Sequence, residues 1–206
     1  MRRLPPGRMA RLWLGERIEV ATRGVHVLEQ KAHALVRQRR RLRQHVEETG
    51  ETWKNALLEA DRWFLRAVAI GGSEQLELIL SRMPGDAEVR VRWRSLMGVV
   101  FPGDVEARTP SVDHIGAVAR SAALAPAAAA YRKAVSLALD HAAATRALEL
   151  VEEELALVRR RLRGLDDRWL PRLRRKLHEV ELALSEEERE DMVRSSWTAK
   201  RKGRRP

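Results

Sequence analysis

Residues Leu14 to Ile70 read LGERIEVATRGVHVLEQKAHALVRQRRRLRQHVEETGETWKNALLEADRWFLRAVAI, and the spacing of their apolar positions decides the fold. Leu14, Ile18, Ala21, Val25, Leu28, Ala32, Leu35, Arg39, Leu42, Val46, Thr49, Trp53, Ala56, Ala60, Trp63, Ala67 and Ile70 recur in a 4-3 alternation over eight heptads. Only Arg39 in that series is charged, and only Thr49 is otherwise polar. A seam held this long predicts a coiled coil instead of an ordinary surface helix. No proline falls between Pro6 and Pro84, so at 1.5 Å per residue the helix can run ~85–100 Å.

A second seam of the same kind occupies the last third of the chain. Leu148, Val151, Leu155, Val158, Leu162, Leu165, Trp169, Leu173, Leu177, Val180 and Leu184 carry it, and Tyr131, Ala134, Ala138, His141 and Thr145 extend it upstream. Pro171 lies inside this tract and predicts a bend, because proline removes one helical hydrogen bond and crowds the preceding turn. Between the seams the pattern changes. Gly71-Gly72-Ser73 predicts a break and Pro84-Gly85-Asp86 a turn. Val89-Arg90-Val91-Arg92-Trp93 alternates with a strand period, and Ser95 to Val100 can return as a second strand ended by Phe101-Pro102-Gly103-Asp104. Asp104 to Gly116 reads as irregular.

The simplest solution is an all-α fold. It is a long antiparallel two-helix coiled coil with a small β-hairpin-bearing middle segment. The expected divisions are an N-terminal coiled-coil helix over 8–82, a hairpin and irregular foot over 83–116, a C-terminal coiled-coil helix over 117–194 and a basic flexible tail over 195–206. Pairing the seams end to end sets Leu14 near Leu184 and Ala60 near Ala138.

Composition bounds the function. The chain of 206 residues has no cysteine, so it holds no disulfide or thiolate metal site. Aromatic residues make up 4%, too few for the core of an ordinary globule. The start, Met1-Arg2-Arg3-Leu4-Pro5-Pro6-Gly7, lacks the apolar run of a secretory signal. The alanine-rich stretch from Ala122 to Ala130 is interrupted by Pro126 and is too short to span a bilayer. The net charge is +11. Residues 1–50 hold 12 Lys/Arg against 5 Asp/Glu, while residues 51–150 balance at 12 each. Such a surface suits nucleic acid, anionic lipid or an acidic protein. Arg37, Arg39, Arg40, Arg41 and Arg43 form its densest belt, open to two readings: a solvated helix face or a partner-facing one.

No catalytic constellation emerges. There is no GxxxxGK[ST] loop and no GxGxxG after a strand. His26, His33, His45, His114, His141 and His178 are scattered without metal-ligand spacing. Glu152-Glu153-Glu154 and Glu186-Glu187-Glu188 are expected to pair along their own helix with arginines such as Arg160. No cofactor is implied. Trp53, Trp63 and Trp169 fall on the seams and read as core residues before base-stacking platforms.

Several blocks resemble the D subunit of the V-type ATP synthases. Arg11-Leu12-Trp13-Leu14-Gly15-Glu16-Arg17-Ile18-Glu19-Val20-Ala21-Thr22-Arg23-Gly24 is similar to that family's opening RLxLxxRLxxAxRG pattern, with Leu28, Lys31 and Leu35 in step. Leu96-Met97-Gly98-Val99 followed by Pro102 resembles its VMGV…P element. Arg159 to Leu165, then Leu170-Pro171-Arg172-Leu173, resemble RRRVNALE…IPRL, and Glu186 to Glu190 an acidic ending before a basic tail. Gly164 and Asp166 depart from the pattern, and arginine replaces much of its lysine.

The resemblance implies a non-catalytic rotor shaft in a rotary ATPase or ATP synthase, cytoplasmic and peripheral to the plasma membrane, without membrane insertion. Its implied partners are the catalytic and nucleotide-binding head subunits, the F subunit and the socket subunit above the membrane ring. Nucleic acid is not expected. The implied partner-contacting residues are Arg11, Arg17, Arg23, Gly24, Met97, Gly98, Val99 and Arg172, with Lys200–Arg205 also toward the head. The implied seam comprises Leu14, Ile18, Val25, Leu28, Leu35, Leu42, Trp53, Leu155, Leu162, Leu165, Trp169, Leu173 and Leu177. The competing reading is a coiled-coil adaptor or a non-specific nucleic-acid-binding rod.

Overall fold

The computed structural model of the chain describes residue 5 and residues 7–80, 87–108 and 122–202. The expected Pro84-Gly85-Asp86 turn, residues 109–121 and the end of the basic tail at 203–206 lie outside the described residues. The elements follow in the order α1 (Arg8–Leu80), β1 (Glu88–Leu96), β2 (Val99–Arg108), α2 (Leu124–Arg163), a π-helical turn (Gly164–Trp169) and α3 (Leu170–Lys202). The chain divides into two compact units. One combines Met1–Ala32 with Leu157–Pro206, and the other is His33–Ala156.

In the first unit the start of α1 runs antiparallel to α3. Arg8 reaches Glu188 at 3.3 Å and Arg11 reaches Glu181 at 3.9 Å, so residue numbers rise on one helix as they fall on the other. Its core is aliphatic: Leu14, Val158, Leu170 and Leu173 are buried together with Ala10 and Ala21.

In the second unit the rest of α1 runs antiparallel to α2, and alanine dominates the contact. Ala56, Ala60 and Ala134 form one buried cluster, flanked by Tyr131 and Leu137. Ala67, Ala123 and Ala127 form another beside Trp63. Ala60 thus packs with Ala134, four residues before the Ala138 that aligning the seam ends gives. Leu35, Leu42, Val151 and Leu155 continue the core as larger aliphatic residues.

Two breaks in the helices have local causes. Gly72 leaves helical geometry at φ 73° and ψ 164°, a conformation open to glycine and strained for other residues. The expected break at Gly71-Gly72-Ser73 is therefore present as a kink. At Pro171 the chain makes a π-turn instead of a simple bend. The Leu170 N–H bonds to the Leu165 carbonyl, five residues back. A widened turn of this kind takes one extra residue into the helix. It relieves the crowding that the proline ring imposes on the carbonyl four residues before it.

The hairpin differs from expectation in its turn. Met97 and Gly98 both have positive φ, 52° and 81°, which is the signature of a two-residue type I′ hairpin turn. β2 therefore starts at Val99 and runs through Phe101-Pro102-Gly103 to Arg108, where the sequence suggested an ending. The register shifts between Val91 and Trp93, and this irregularity accommodates Pro102 within the strand. At the other extreme, α3 extends helically to Lys202. The expected flexible tail is thus helical over Ser195–Lys202, a stretch containing alanine, lysine and arginine, which favour helix.

Candidate functional site

The hairpin presents two unlike faces. On one, Arg90 pairs with Glu88 at 2.9 Å, Arg92 with Glu106 at 2.6 Å and Arg94 with Asp104 at 3.0 Å. On the other, the cross-strand pairs Val89↔Ala107, Val91↔Val105 and Trp93↔Pro102 form an apolar row. Every residue of β1 before Leu96 is exposed, whereas Val99, Phe101 and Pro102 of β2 are buried. Trp93 is 63% exposed, and Met97 and Val100 are more than half exposed. A cluster of large apolar side chains left in water on a small hairpin makes this face the candidate contact surface. Val99, one of the sequence-expected contacts, is buried, and the exposed side chains beside this turn are Met97 and Val100. Trp93, Val89 and Val91 were legible only as a strand pattern, since alternation does not say which face stays uncovered.

Three of the expected contact residues in the first unit hold intramolecular partners. Arg11 pairs with Glu181, and Arg23 with Glu19 at 3.5 Å. Arg17 lies 4.9 Å above the Trp13 ring. Gly24 faces open space, and Arg172 is exposed on α3. Beyond Glu188, α3 exposes Met192, Val193 and Trp197, and Arg189, Glu190 and Arg194 join Val193 and Trp197 around an open cleft.

Of the expected seam, Leu14, Leu35, Leu42, Leu155 and Leu173 are buried. Ile18, Val25, Leu28, Trp53, Leu162, Leu165, Trp169 and Leu177 are half-buried. The second unit contains a polar layer that the spacing alone did not pair. Thr49 Oγ1 donates to the His45 carbonyl at 2.8 Å. The same hydroxyl lies 3.2 Å from His141 Nδ1 in a second hydrogen bond, whose direction follows the imidazole tautomer. The imidazole stacks on Trp53 with ring centroids 5.5 Å apart and planes 20° from parallel. Gly50 leaves room for it, since a Cβ there would stand 3.2 Å from His141 Cε1.

Two other cross-helix ties are polar. Tyr131 donates to Asp61 at 2.7 Å. That hydrogen bond, helped by desolvation and the Asp61 charge, raises the phenol above its usual 10.0. Arg43 bonds Glu152 through Nε at 3.1 Å. Glu152 thus pairs across the helices, whereas Glu153 lies 3.9 Å from Arg146, an arginine of its own helix. Asp140 is held above the ordinary carboxyl value of 3.8, first by burial and then by the Asp104 charge, against a lowering by His45. Among the described residues no group of three or more His, Asp or Glu is placed to hold a metal ion. Among the same residues no helix is long and apolar enough to cross a membrane.

The family pattern described as the D subunit of ATP synthase matches residues 12–200. The chain belongs to that family. It is 31% identical over 191 residues to the A-type ATP synthase D subunit of Methanopyrus kandleri, covering 92% of this chain and 82% of the relative. To the A-type D subunit of Pyrococcus furiosus it is 28% identical, covering 93% and 91%. To the V-type ATP synthase D subunit of Acetivibrio thermocellus it is also 28% identical, covering 93% and 88%. The matched span takes in both helical tracts and the hairpin of this ATP synthase chain.

Proposed function

We propose that this chain is the central-stalk rotor shaft of a V/A-type ATP synthase, carrying rotation between a catalytic head and a membrane ring that translocates ions. The observation that carries this reading is the antiparallel pairing of a 73-residue helix with the C-terminal helices in a member of the ATP synthase D-subunit family. As a component of such a complex, the chain works through contacts with other subunits. Torque needs an element that resists twisting, and two helices closely packed along a seam resist it better than one.

On this reading the chain performs no ATP chemistry itself. Its surface differs around its circumference, so each orientation gives the head different contacts and favours a different state of each catalytic interface. The catalytic and nucleotide-binding subunits take the end bearing Arg11, Arg17, Arg23, Gly24 and the last turns of α3. The F subunit and the socket subunit take the region of Met97, Gly98 and Trp93. The whole sits on the cytoplasmic side, peripheral to the plasma membrane. The test is co-elution of the purified chain with its catalytic and nucleotide-binding subunits, and separately with the F subunit, in size-exclusion chromatography. Elution apart from both refutes the proposal.

A further inference from the structure

The arginines of α1 are not equivalent. Arg8, Arg11, Arg23 and Arg43 each pair with a carboxylate, and Arg17 and Arg66 lie over the Trp13 and Trp63 rings. Arg37, Arg40 and Arg41 do neither among the described residues, and all three are exposed. At 3.6 residues per turn they share one arc of the helix, opposite the buried Leu35 and Leu42. Arg39, which points toward the seam, is half-buried instead.

The sequence makes this arc unneutralised by construction. No Asp or Glu occurs between Glu29 and Glu47, so no carboxylate can reach these arginines from three or four residues away. Across the helix pair, Glu152 is engaged by Arg43 and Glu153 by Arg146. Three guanidinium groups within about 6 Å of helix rise are therefore left to partners from outside.

We infer that the Arg37–Arg40–Arg41 face is a docking surface for an acidic surface of another protein of the same complex, read by charge and not by shape. This rests on the shaft reading, because it assumes a neighbouring subunit at this level of the coil. Guanidinium forks bind carboxylates in pairs of hydrogen bonds. On long, exposed side chains they can exchange one carboxylate for the next as surfaces move past each other. The face carries no aromatic ring on which a base could stack, since Trp53 is engaged with His141, and no apolar residue to enter a lipid layer.

The test uses the full chain carrying R37Q/R40Q/R41Q, or R37E/R40E/R41E, mixed with the purified catalytic and nucleotide-binding subunits of its own complex. Binding is measured at low and high salt, and duplex DNA is run as a separate arm. The expected result is about 3- to 100-fold weaker binding for the glutamine variant at low salt, from three exposed pairs. The loss should be larger for the glutamate variant and smaller for both at high salt. Circular dichroism and the unfolding midpoint should not change, because the arc makes no seam contact. Equal affinity and equal salt dependence of wild type and variants, with the wild type bound, overturn the docking surface and leave the shaft reading standing. Belt-dependent DNA binding with unchanged subunit binding overturns it in favour of a nucleic-acid surface. No binding of the wild type to the head subunits overturns both.

Discussion

His141 offers a sharp test of how the second unit is held together, because two substitutions there should behave oppositely. Removing the ring in His141→Ala deletes the hydrogen bond to Thr49 and the stack on Trp53. A net hydrogen bond contributes about 0.5–1.5 kcal/mol and an aromatic pair a further ~0.5–1.5 kcal/mol. The expected loss is therefore about 1–3 kcal/mol. His141→Leu also removes the hydrogen bond, yet it leaves no buried donor stranded, since the Thr49 hydroxyl still donates to the His45 carbonyl. Replacing a satisfied polar contact by apolar volume without orphaning a partner is close to neutral. Leucine also packs against Trp53 and fits the space that Gly50 leaves. The leucine variant should stay within about 1 kcal/mol of the wild type. Urea unfolding followed by circular dichroism at a pH well above the histidine range measures both. An alanine variant as stable as the wild type, or a leucine variant as weak as alanine, would refute the reasoning.

Three further outcomes follow from the same unit. The chain has no cysteine, so Ala60→Cys with Ala134→Cys should crosslink cleanly on oxidation while Ala60→Cys with Ala138→Cys should not, read by non-reducing electrophoresis. Ala60→Leu inserts volume where Ala56 and Ala134 close the seam and should destabilise by about 1–3 kcal/mol in a denaturant titration. Asp140 is raised in the folded state, so the fold binds its proton more tightly than the unfolded chain does. Its favourable contribution is present below the unfolded value of 3.8 and is lost as pH rises through the raised folded value. Asp140→Asn should therefore raise the unfolding midpoint at neutral pH, and that gain should vanish below the unfolded value.

The fold was legible because a seam of seventeen positions repeats with few exceptions, and only a long paired helix satisfies such a repeat. The register was less so. Alanine positions look alike, and aligning the seam ends gave Ala138 as the partner of Ala60. The discriminating signal was the pair of polar interruptions, Thr49 on one seam and His141 on the other, which answer each other. The π-turn also left a trace. The second seam steps by threes and fours until Leu165, then by fours through Trp169, Leu173 and Leu177. That is one residue too many for the repeat, and the widened turn at Gly164–Trp169 absorbs it. The hairpin turn was hidden because methionine with positive φ is uncommon and Pro102 reads as a strand end. Which surface residues stay uncovered is set by tertiary packing, so the exposed Trp93 could not be told from a buried one by alternation.

The two units reach stability by different means, and the difference bears on the proposed role. Leucine and valine fill the core of the first, where burial of large side chains contributes about 1.5–3 kcal/mol apiece. The second buries mostly methyl groups, so its helices gain little from area and more from close approach of their backbones and from polar ties. Those ties, Arg43–Glu152, Thr49–His141 and Asp61–Tyr131, occur at successive levels and oppose sliding of one helix along the other. They also differentiate the sides. At the level where Arg43 meets Glu152, α1 turns Arg37, Arg40 and Arg41 outward, while on α2 the exposed Glu149 and Glu153 are paired with Arg146. A shaft can bias several alike catalytic sites only if it lacks their symmetry. An antiparallel pair with unneutralised arginines on one helix and ion-paired glutamates on the other at one level lacks it, and needs no moving part of its own.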